Sequence, residues 1–252
     1  MKIIAAYNLF NGLEIFQRSV EYTKPFFDEV VFFYQTISYR GNKDTRVLQA
    51  MDQFPFVNRV EFHPNLRLNP KENELIKQNE MIKYCKSQGA DYMLLIDADH
   101  IYQPKKIVGA IKKALNYDVS FTRMLTYYKH STWQLETMED YFMPFLIKLY
   151  PHTKFINNPP FFPVKVDPTL KVNTFMNNYV FLPDEFLFHH YSLVRNDIYE
   201  KFSNSPSRPL KHWKDGGYID EFLNYDIEQN PGVKYFGGRK IKIVPDYFNI
   251  GI

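Results

Sequence analysis

The chain has 252 residues, enough to bury a real core as one α/β domain. Hydrophobic residues make up 45% and charged residues 23%, the balance of a globular protein, and a formal net charge of +3 is too small to argue by itself for nucleic acid or membrane as a partner. A single cysteine, Cys85, excludes an internal disulfide, and no run approaches the roughly 18 apolar residues of a membrane helix, so the chain is expected in the cytoplasm with no leader and no transmembrane segment.

The first half alternates. "KIIAAY" (2–7), "VVFFYQ" (30–35), "RVEFHP" (59–64), "YMLLID" (92–97) and "VSFTRM" (119–124) read as strands. Helices are expected between them, over about 12–24, 43–53, 70–88 and 103–116. Such alternation builds βαβ units, and near-continuous apolar strands are those of a parallel sheet buried on both faces.

The second half changes character. Residues 125–185 are rich in Tyr, Phe, Pro and Asn, and "NNPPFFPVKVDPT" cannot be a regular helix. Long loops and short antiparallel strands are expected there. A strand over 186–194, helices over 196–202 and 218–228, and a last strand over 239–248 follow. The sequence thus predicts one domain with two halves: residues 1–124 for a nucleotide and residues 125–252 facing an acceptor.

The stretch "DYMLLIDADHIYQP" (91–104) drives an apolar strand into Asp97 and Asp99. In an open α/β sheet, ligands bind beyond the carboxyl ends of the strands. Two residues apart on an extended segment, the two carboxylates point the same way and repel unless something positive lies between them. A hard divalent cation answers that need, and it could hold a diphosphate as it leaves. Asp is also favoured at strand ends and helix N-caps, which accounts for the same residues without a ligand.

These motifs resemble the GT-A glycosyltransferases, particularly the large inverting, family 2-like group that includes many bacterial and phage sugar transferases. "IIAAYN" (3–8) resembles that family's first strand and turn, which implies nucleotide contacts from Tyr7 and Asn8. "DYMLLIDADH" resembles its Asp-x-Asp strand, which implies that Asp97 and Asp99 bind Mn²⁺ or Mg²⁺ and the nucleotide-sugar. Where the family has Arg-Asn on the preceding helix, this chain has Gln78-Asn79, of which only the asparagine matches. Both fall on or beside the apolar stripe of that helix, where polar groups need partners, either a ligand or the loop after the first strand. The resemblance implies a mixed, mainly parallel sheet flanked by helices, with an irregular aromatic-rich acceptor half.

The resemblance also implies a late histidine in the metal site. In "FHHYSLVR" (188–195) the two histidines face opposite ways on a strand, and His190, which shares a face with Ser192, is the expected ligand. Arg195 is expected on the diphosphate. "DGGYIDEFLNYD" (215–226) resembles the segment carrying the family's general base, with one extra residue, Ile219. Asp220, Glu221 and Asp226 are the candidates to deprotonate an acceptor hydroxyl. An enzyme that retains configuration would need none of them.

The expected function is metal-dependent transfer of a sugar from a nucleotide-sugar to a hydroxyl of a glycan or glycolipid. A phage enzyme glycosylating a hydroxymethylated DNA base is the alternative, suggested by Arg208, Lys211, Lys214, Arg239, Lys240 and Lys242. A nucleotidyltransferase would carry a glycine-rich loop with a basic residue after the first strand, and "AAYNLFNGLEIF" has one glycine and no Lys or Arg. A non-catalytic carbohydrate-binding protein would use the aromatic residues but not the acidic pair. Trp133, Tyr127, Tyr128, Phe161 and Phe162 are candidates for an acceptor cleft, with burial in the core the ordinary alternative.

Overall fold

The computed structural model describes residues 1–159 and 161–252. Four strands, β1 (Ile3–Leu9), β2 (Glu29–Tyr34), β3 (Asn58–Glu61) and β4 (Tyr92–Asp97), form a parallel block in the order β3-β2-β1-β4. The crossovers carry α1 (Phe16–Thr23), α2 (Arg46–Asp52) and α3 (Pro70–Ser87). β1 lies between β2 and β4 and is apolar on both faces until Asn8, which is paired in register with Asp97 at the end of β4. The polar ends of the two innermost strands therefore lie side by side.

Helix boundaries follow local chemistry. Asn69 and Glu72 form a capping box at the start of α3, with Pro70 in its first turn. Pro104 opens α4 (Pro104–Ala114) in the same way. The first helix is shorter than expected because residues 10–15 form the loop that follows β1.

The sheet continues from β4 through β8 (Met143–Lys148), β6 (Val119–Tyr128), β7 (Trp133–Leu135) and β11 (Ile241–Ile243). β5 (His100–Tyr102) and β9 (Asn178–Val180) lie off this path, as does β10 (Leu187–Leu193), which runs parallel to β6 and antiparallel to β5. The long ladders are parallel: β1 pairs six residues with each of β2 and β4, and among the described residues no antiparallel ladder pairs more than three. The architecture is the expected α/β one, a mainly parallel mixed sheet flanked by helices.

Several expectations for the second half need correction. β6 runs to Tyr128, past its expected end, because Tyr127 and Tyr128 are core residues and not cleft residues. β9 joins β6 in parallel, not antiparallel. α5 (Ile198–Ser203) and α7 (Tyr218–Asn224) are joined by an unexpected α6 (Leu210–Asp215), six residues that are too few to show a period. The last strand shrinks to β11. Trp133 packs on the cluster containing Tyr128, Trp213 and Phe222, and Phe162 packs on Phe121 and Phe175, whereas Phe161 is exposed. Among the described residues no helix is long and apolar enough to cross a membrane.

Candidate active site

β4 ends on Asp97, and the Asn8 amide beside it donates to Asp97 Oδ1 at 3.0 Å. The chain then reverses through Ala98 and Asp99 into β5, which pairs with β10 so that His100 stands opposite His190. Tyr191 N donates to Asp99 O at 2.9 Å and ties the turn to β10. This reversal corrects the expectation of two aspartates on one extended strand. Asp99 belongs to a turn, and the carboxylates meet around an imidazole. His100 Nε2 lies 3.7 Å from Asp97 Oδ2 and 3.7 Å from Asp99 Oδ1. His190 Nε2 lies 4.0 Å from the same Asp99 oxygen.

The other oxygen of Asp99 meets cations. Arg195 donates to Asp99 Oδ2 at 2.5 Å, and Lys201 Nζ is 4.0 Å away. Arg195 is held in turn by Ser192 O at 2.8 Å and by Glu14 Oε2 at 3.3 Å. Its guanidinium lies over Gly12, where φ is +79° and an added Cβ would stand 1.9 Å from Arg195 Nη1. Burial opposes ionisation of Asp99, but Arg195, Lys201 and His190 outweigh it and hold the carboxyl well below the usual range. Burial pushes the His190 imidazole down to about 3 against the pull of Asp99. Burial, with Arg195 nearby, brings the Lys201 amine down to about 8.

The donor set fits a divalent ion. Asp99, His100 and His190 each offer one ligand atom, all within 4.8 Å of one another. Their separations from Asp97 and Asp99 exceed hydrogen-bond length yet lie within about twice a 2.0–2.1 Å metal–ligand distance. His190 Nδ1 is buried and has no hydrogen-bond partner, and the Asp97 N–H approaches His100 Nδ1 at 3.4 Å, leaving its Nε2 toward the carboxylates.

Two clefts open on the Arg195 side of this cluster. One, of about 200 Å³, is lined by Asn8, Gln35, Tyr39, Asp97, Asp99 and Lys201. The other, of about 370 Å³, lies across Arg195 and is bounded by Glu14, Arg46, Gln53 and Asp197.

The structure brings together Asn8, Asp97, Asp99, His190 and Arg195 from the residues singled out in the sequence, and Ser192 shares the cleft wall with His190 as strand alternation requires. His189 faces away, bonded to Tyr127 Oη at 2.6 Å and Gln103 Nε2 at 3.2 Å. Gln78 lines a smaller cavity on the other side of Asp97, with Asp167 and Thr169, and the remaining residues lie elsewhere. Tyr7 is fully buried against Phe16 and Phe32 with its hydroxyl on Ser19, because that position of β1 points into the core. Asn79 spends both amide atoms on the Phe155 backbone, at 2.8 and 3.1 Å.

Asp220, Glu221 and Asp226 do not reach the clefts. Asp220 is exposed, Glu221 accepts from Lys234 N at 2.6 Å and Tyr235 N at 3.3 Å, and Asp226 accepts from Glu228 N at 2.9 Å. Ile219 and Phe222 of α7 share a core cluster with Ile198 and Phe202 of α5, so α7 lies behind the helix that carries Lys201. Gly216 and Gly217 end α6 and start α7, and therefore make a helix–helix turn and not a ligand contact.

Sequence reasoning missed His100 and Lys201. His100 directly follows Asp99, but its role depends on the β5 reversal. Lys201 stands four residues past the N-cap Asp197 of a very short helix, where periodicity carries no signal.

At the carboxyl end of β4, two carboxylates, two imidazoles and a buried guanidinium from β4, the turn after it, β5 and the end of β10 come together, at the edge where open α/β sheets take ligands. No protein-family model and no curated protein matches the chain. Among solved structures it is similar to S. aureus TarS 1-349, with TM-score 0.46 and 13% identity over 92% of this chain and 77% of that one. It is also similar to the same protein in complex with UDP-GlcNAc, with TM-score 0.44 and 12% identity over 92% and 78%, and to a longer TarS structure, of which it covers 45%.

Proposed function

We propose that the chain is a glycosyltransferase that moves a sugar from a nucleotide-sugar to an acceptor hydroxyl, with a glycan or glycolipid as the acceptor. The observation that carries this reading is the division of Asp99: one carboxylate oxygen faces two imidazoles and the other faces Arg195 and Lys201. A site holding both metal-type ligands and buried cations suits a diphosphate, whose charge exceeds what one group neutralises.

Asp97, Asp99, His100 and His190 would hold Mn²⁺ or Mg²⁺, which supplies Lewis-acid neutralisation of the diphosphate. As the anomeric C–O bond breaks, negative charge grows on the departing diphosphate. Arg195 and Lys201 offer fixed donors for that charge in a site partly shielded from water. Asn8 orients Asp97 through its amide. Proton removal from the acceptor is not given to Asp220, Glu221 or Asp226, whose carboxylates lie outside both clefts. The chain is read as one domain, although residues 125–252 supply His190, Arg195 and Lys201 to the donor side.

The test is a nucleotide-sugar panel with Mn²⁺, followed by mass spectrometry. Release of nucleoside diphosphate that is lost in Asp99→Asn supports the reading. Release of sugar 1-phosphate, the leaving group when the nucleotidyl group is transferred instead, would replace it with nucleotidyl transfer. Binding of free glycans with no nucleotide affinity would replace it with a carbohydrate-binding role.

A further inference from the structure

Residues 36–45, between β2 and α2, form a finger braced on itself. Ile37 bridges Lys43, Ser38 N donates to Asn42 O at 2.8 Å, and Asp44 N donates to Thr36 O at 2.8 Å. Ser38 Oγ accepts from Asn42 N at 3.0 Å, and Gly41, with φ of +87°, makes the turn at the tip. A loop that satisfies its own backbone groups keeps its shape when it moves as a unit. Among the described residues, none of 36–45 belongs to an apolar cluster, and Tyr39 meets Phe62 only edge-on, with ring centres 6.4 Å apart.

The tip of the finger crosses to the end of α5. Arg40 Nε donates to Ser205 O at 2.7 Å, and Asn42 Nδ2 donates to Asn204 Oδ1 at 2.9 Å. Arg46, at the foot of the finger, donates to Glu200 of α5 and to Asp44. These contacts are all polar, and Asn42 and Arg46 are exposed. Such contacts exchange readily with water and are individually weak. α5 itself is anchored elsewhere, through Ile198 and Phe202 in the cluster with Trp213 and Phe222. The finger is therefore the part free to move, because little apolar burial opposes its departure.

Finger and α5 together wall the site. Ser38 and Tyr39 on one side and Lys201, Asn204 and Pro206 on the other line the cleft of about 200 Å³ that holds Asp97 and Asp99. Arg46 and Glu200 line the neighbouring cleft, which shares Asn11, Arg195 and Lys201 with the first. Pockets for drug-sized ligands start at about 300 Å³, so the first cleft has room for a metal ion and a phosphate group but not for a whole nucleoside diphosphate. We infer that the finger and the end of α5 form a latch, closed in this structure, that parts to admit the nucleoside diphosphate and closes again on it. The inference rests on the glycosyltransferase reading for the identity of the ligand. The finger carries none of Asp97, Asp99, His100 and His190, so its opening leaves the carboxylates and imidazoles in place.

Two measurements test the latch. In the double variant Asn42→Cys, Asn204→Cys, a short bis-methanethiosulfonate linker ties the finger to α5 and a reductant releases it; the native Cys85 is buried and stays out of reach. Stopped-flow binding with Mn²⁺ then uses fluorescent UDP, GDP and dTDP. The tied protein is expected to associate at least about tenfold more slowly than the released one, and Arg46→Ala to associate and dissociate at least about threefold faster than the wild type. Equal association of the tied and released proteins would overturn the latch. The second measurement needs no ligand. Nitroxide labels on Lys43→Cys and Lys211→Cys, both exposed positions, report the distance from the finger to α6, whose Trp213 stacks on Phe202 of α5. Pulsed electron–electron resonance is expected to show two distances, the longer one growing in Arg46→Ala. A single distance, unchanged in that variant, would overturn the latch even where a nucleotide binds. If two distances are present but no diphosphate binds the released protein, the glycosyltransferase reading falls and the latch stands without that ligand.

Discussion

Arg195 donates to Asp99 Oδ2 at 2.5 Å, joining the end of β10 to the turn after β4, and both side chains are almost wholly buried. The pair does two things at once. It fixes the second half of the chain on the first, and it leaves Asp99 Oδ1 free to face His100 and His190. Asp99→Asn removes the charge and keeps the shape. Arg195 then keeps Glu14 and Ser192 O but loses its shortest ionic partner, a loss that costs about 2 kcal/mol. The variant is expected to unfold at lower urea and to lose metal-dependent binding of nucleoside diphosphate. A stability loss under about 0.5 kcal/mol would mean that the pair is solvated and not structural.

The two adjacent histidines are expected to behave differently. His190 faces Asp99, whereas His189 is bound to Tyr127 and Gln103 within an aromatic cluster. His190→Ala and His100→Ala should each weaken Mn²⁺ affinity by tenfold or more with small effects on melting. His189→Ala should do the reverse, lowering stability and sparing the metal. Isothermal titration with Mn²⁺ alone distinguishes them, and equal effects at positions 189 and 190 would remove His190 from the ligand set.

Much of this site was legible in the sequence because it follows from strand alternation. An apolar strand running into Asp97, and a later strand on which His190 and Ser192 share a face, are patterns of period two. His100 escaped because its position depends on a chain reversal and a cross-strand register with β10, which are long-range facts. Gly216, Gly217 and Glu221 misled for the opposite reason. A short motif reads alike whether its glycines admit a ligand or turn one helix into the next. Tyr7 misled because adjacent positions on β1 face different environments: Asn8 reaches the cleft and Tyr7 enters the core.

Gly12 offers a steric test. Its φ of +79° already disfavours a side chain, and a Cβ would stand 1.9 Å from Arg195 Nη1. Gly12→Ala is therefore expected to displace the guanidinium from Asp99 without changing any charge. Diphosphate affinity should fall about as far as in Arg195→Ala, while the double variant is little worse than either single one. Additive losses would show that Gly12 acts on the loop alone.

Lys77 predicts a pH dependence of stability. It is fully buried, with Nζ donating to Leu9 O at 3.0 Å and Gln35 Oε1 at 3.1 Å. Burial lowers its amine to about 7, against the opposing pull of Asp97 and Glu74. The unfolded chain keeps this proton up to its ordinary value of 10.5 and the folded chain does not. Between these values the unfolded state binds more protons, so this residue makes stability rise with pH, by at most about 1.4 kcal/mol per unit. Below pH 7 both states are protonated and the deficit is constant. Urea unfolding at pH 7, 8 and 9 should show a smaller rise in Lys77→Met than in the wild type, and parallel curves would mean that the folded amine stays charged.

Salt separates the candidate acceptors. Lys211, Lys214, Lys240 and Lys242 are exposed, on or beside α6 and β11. A DNA acceptor would require several such cations to neutralise phosphates, and affinity would then fall steeply with salt as counterion release weakens. A glycan or glycolipid headgroup without charge brings no such polyanion. The small net charge of +3 and the absence of any of these lysines from the two clefts favour a shallow dependence. Duplex binding is therefore expected to be weak and non-saturating at moderate salt, measured by fluorescence anisotropy. Saturable binding with a strongly negative log–log slope, reduced when Lys211 and Lys214 become alanine, would instead identify the acceptor as DNA and the basic edge as its track.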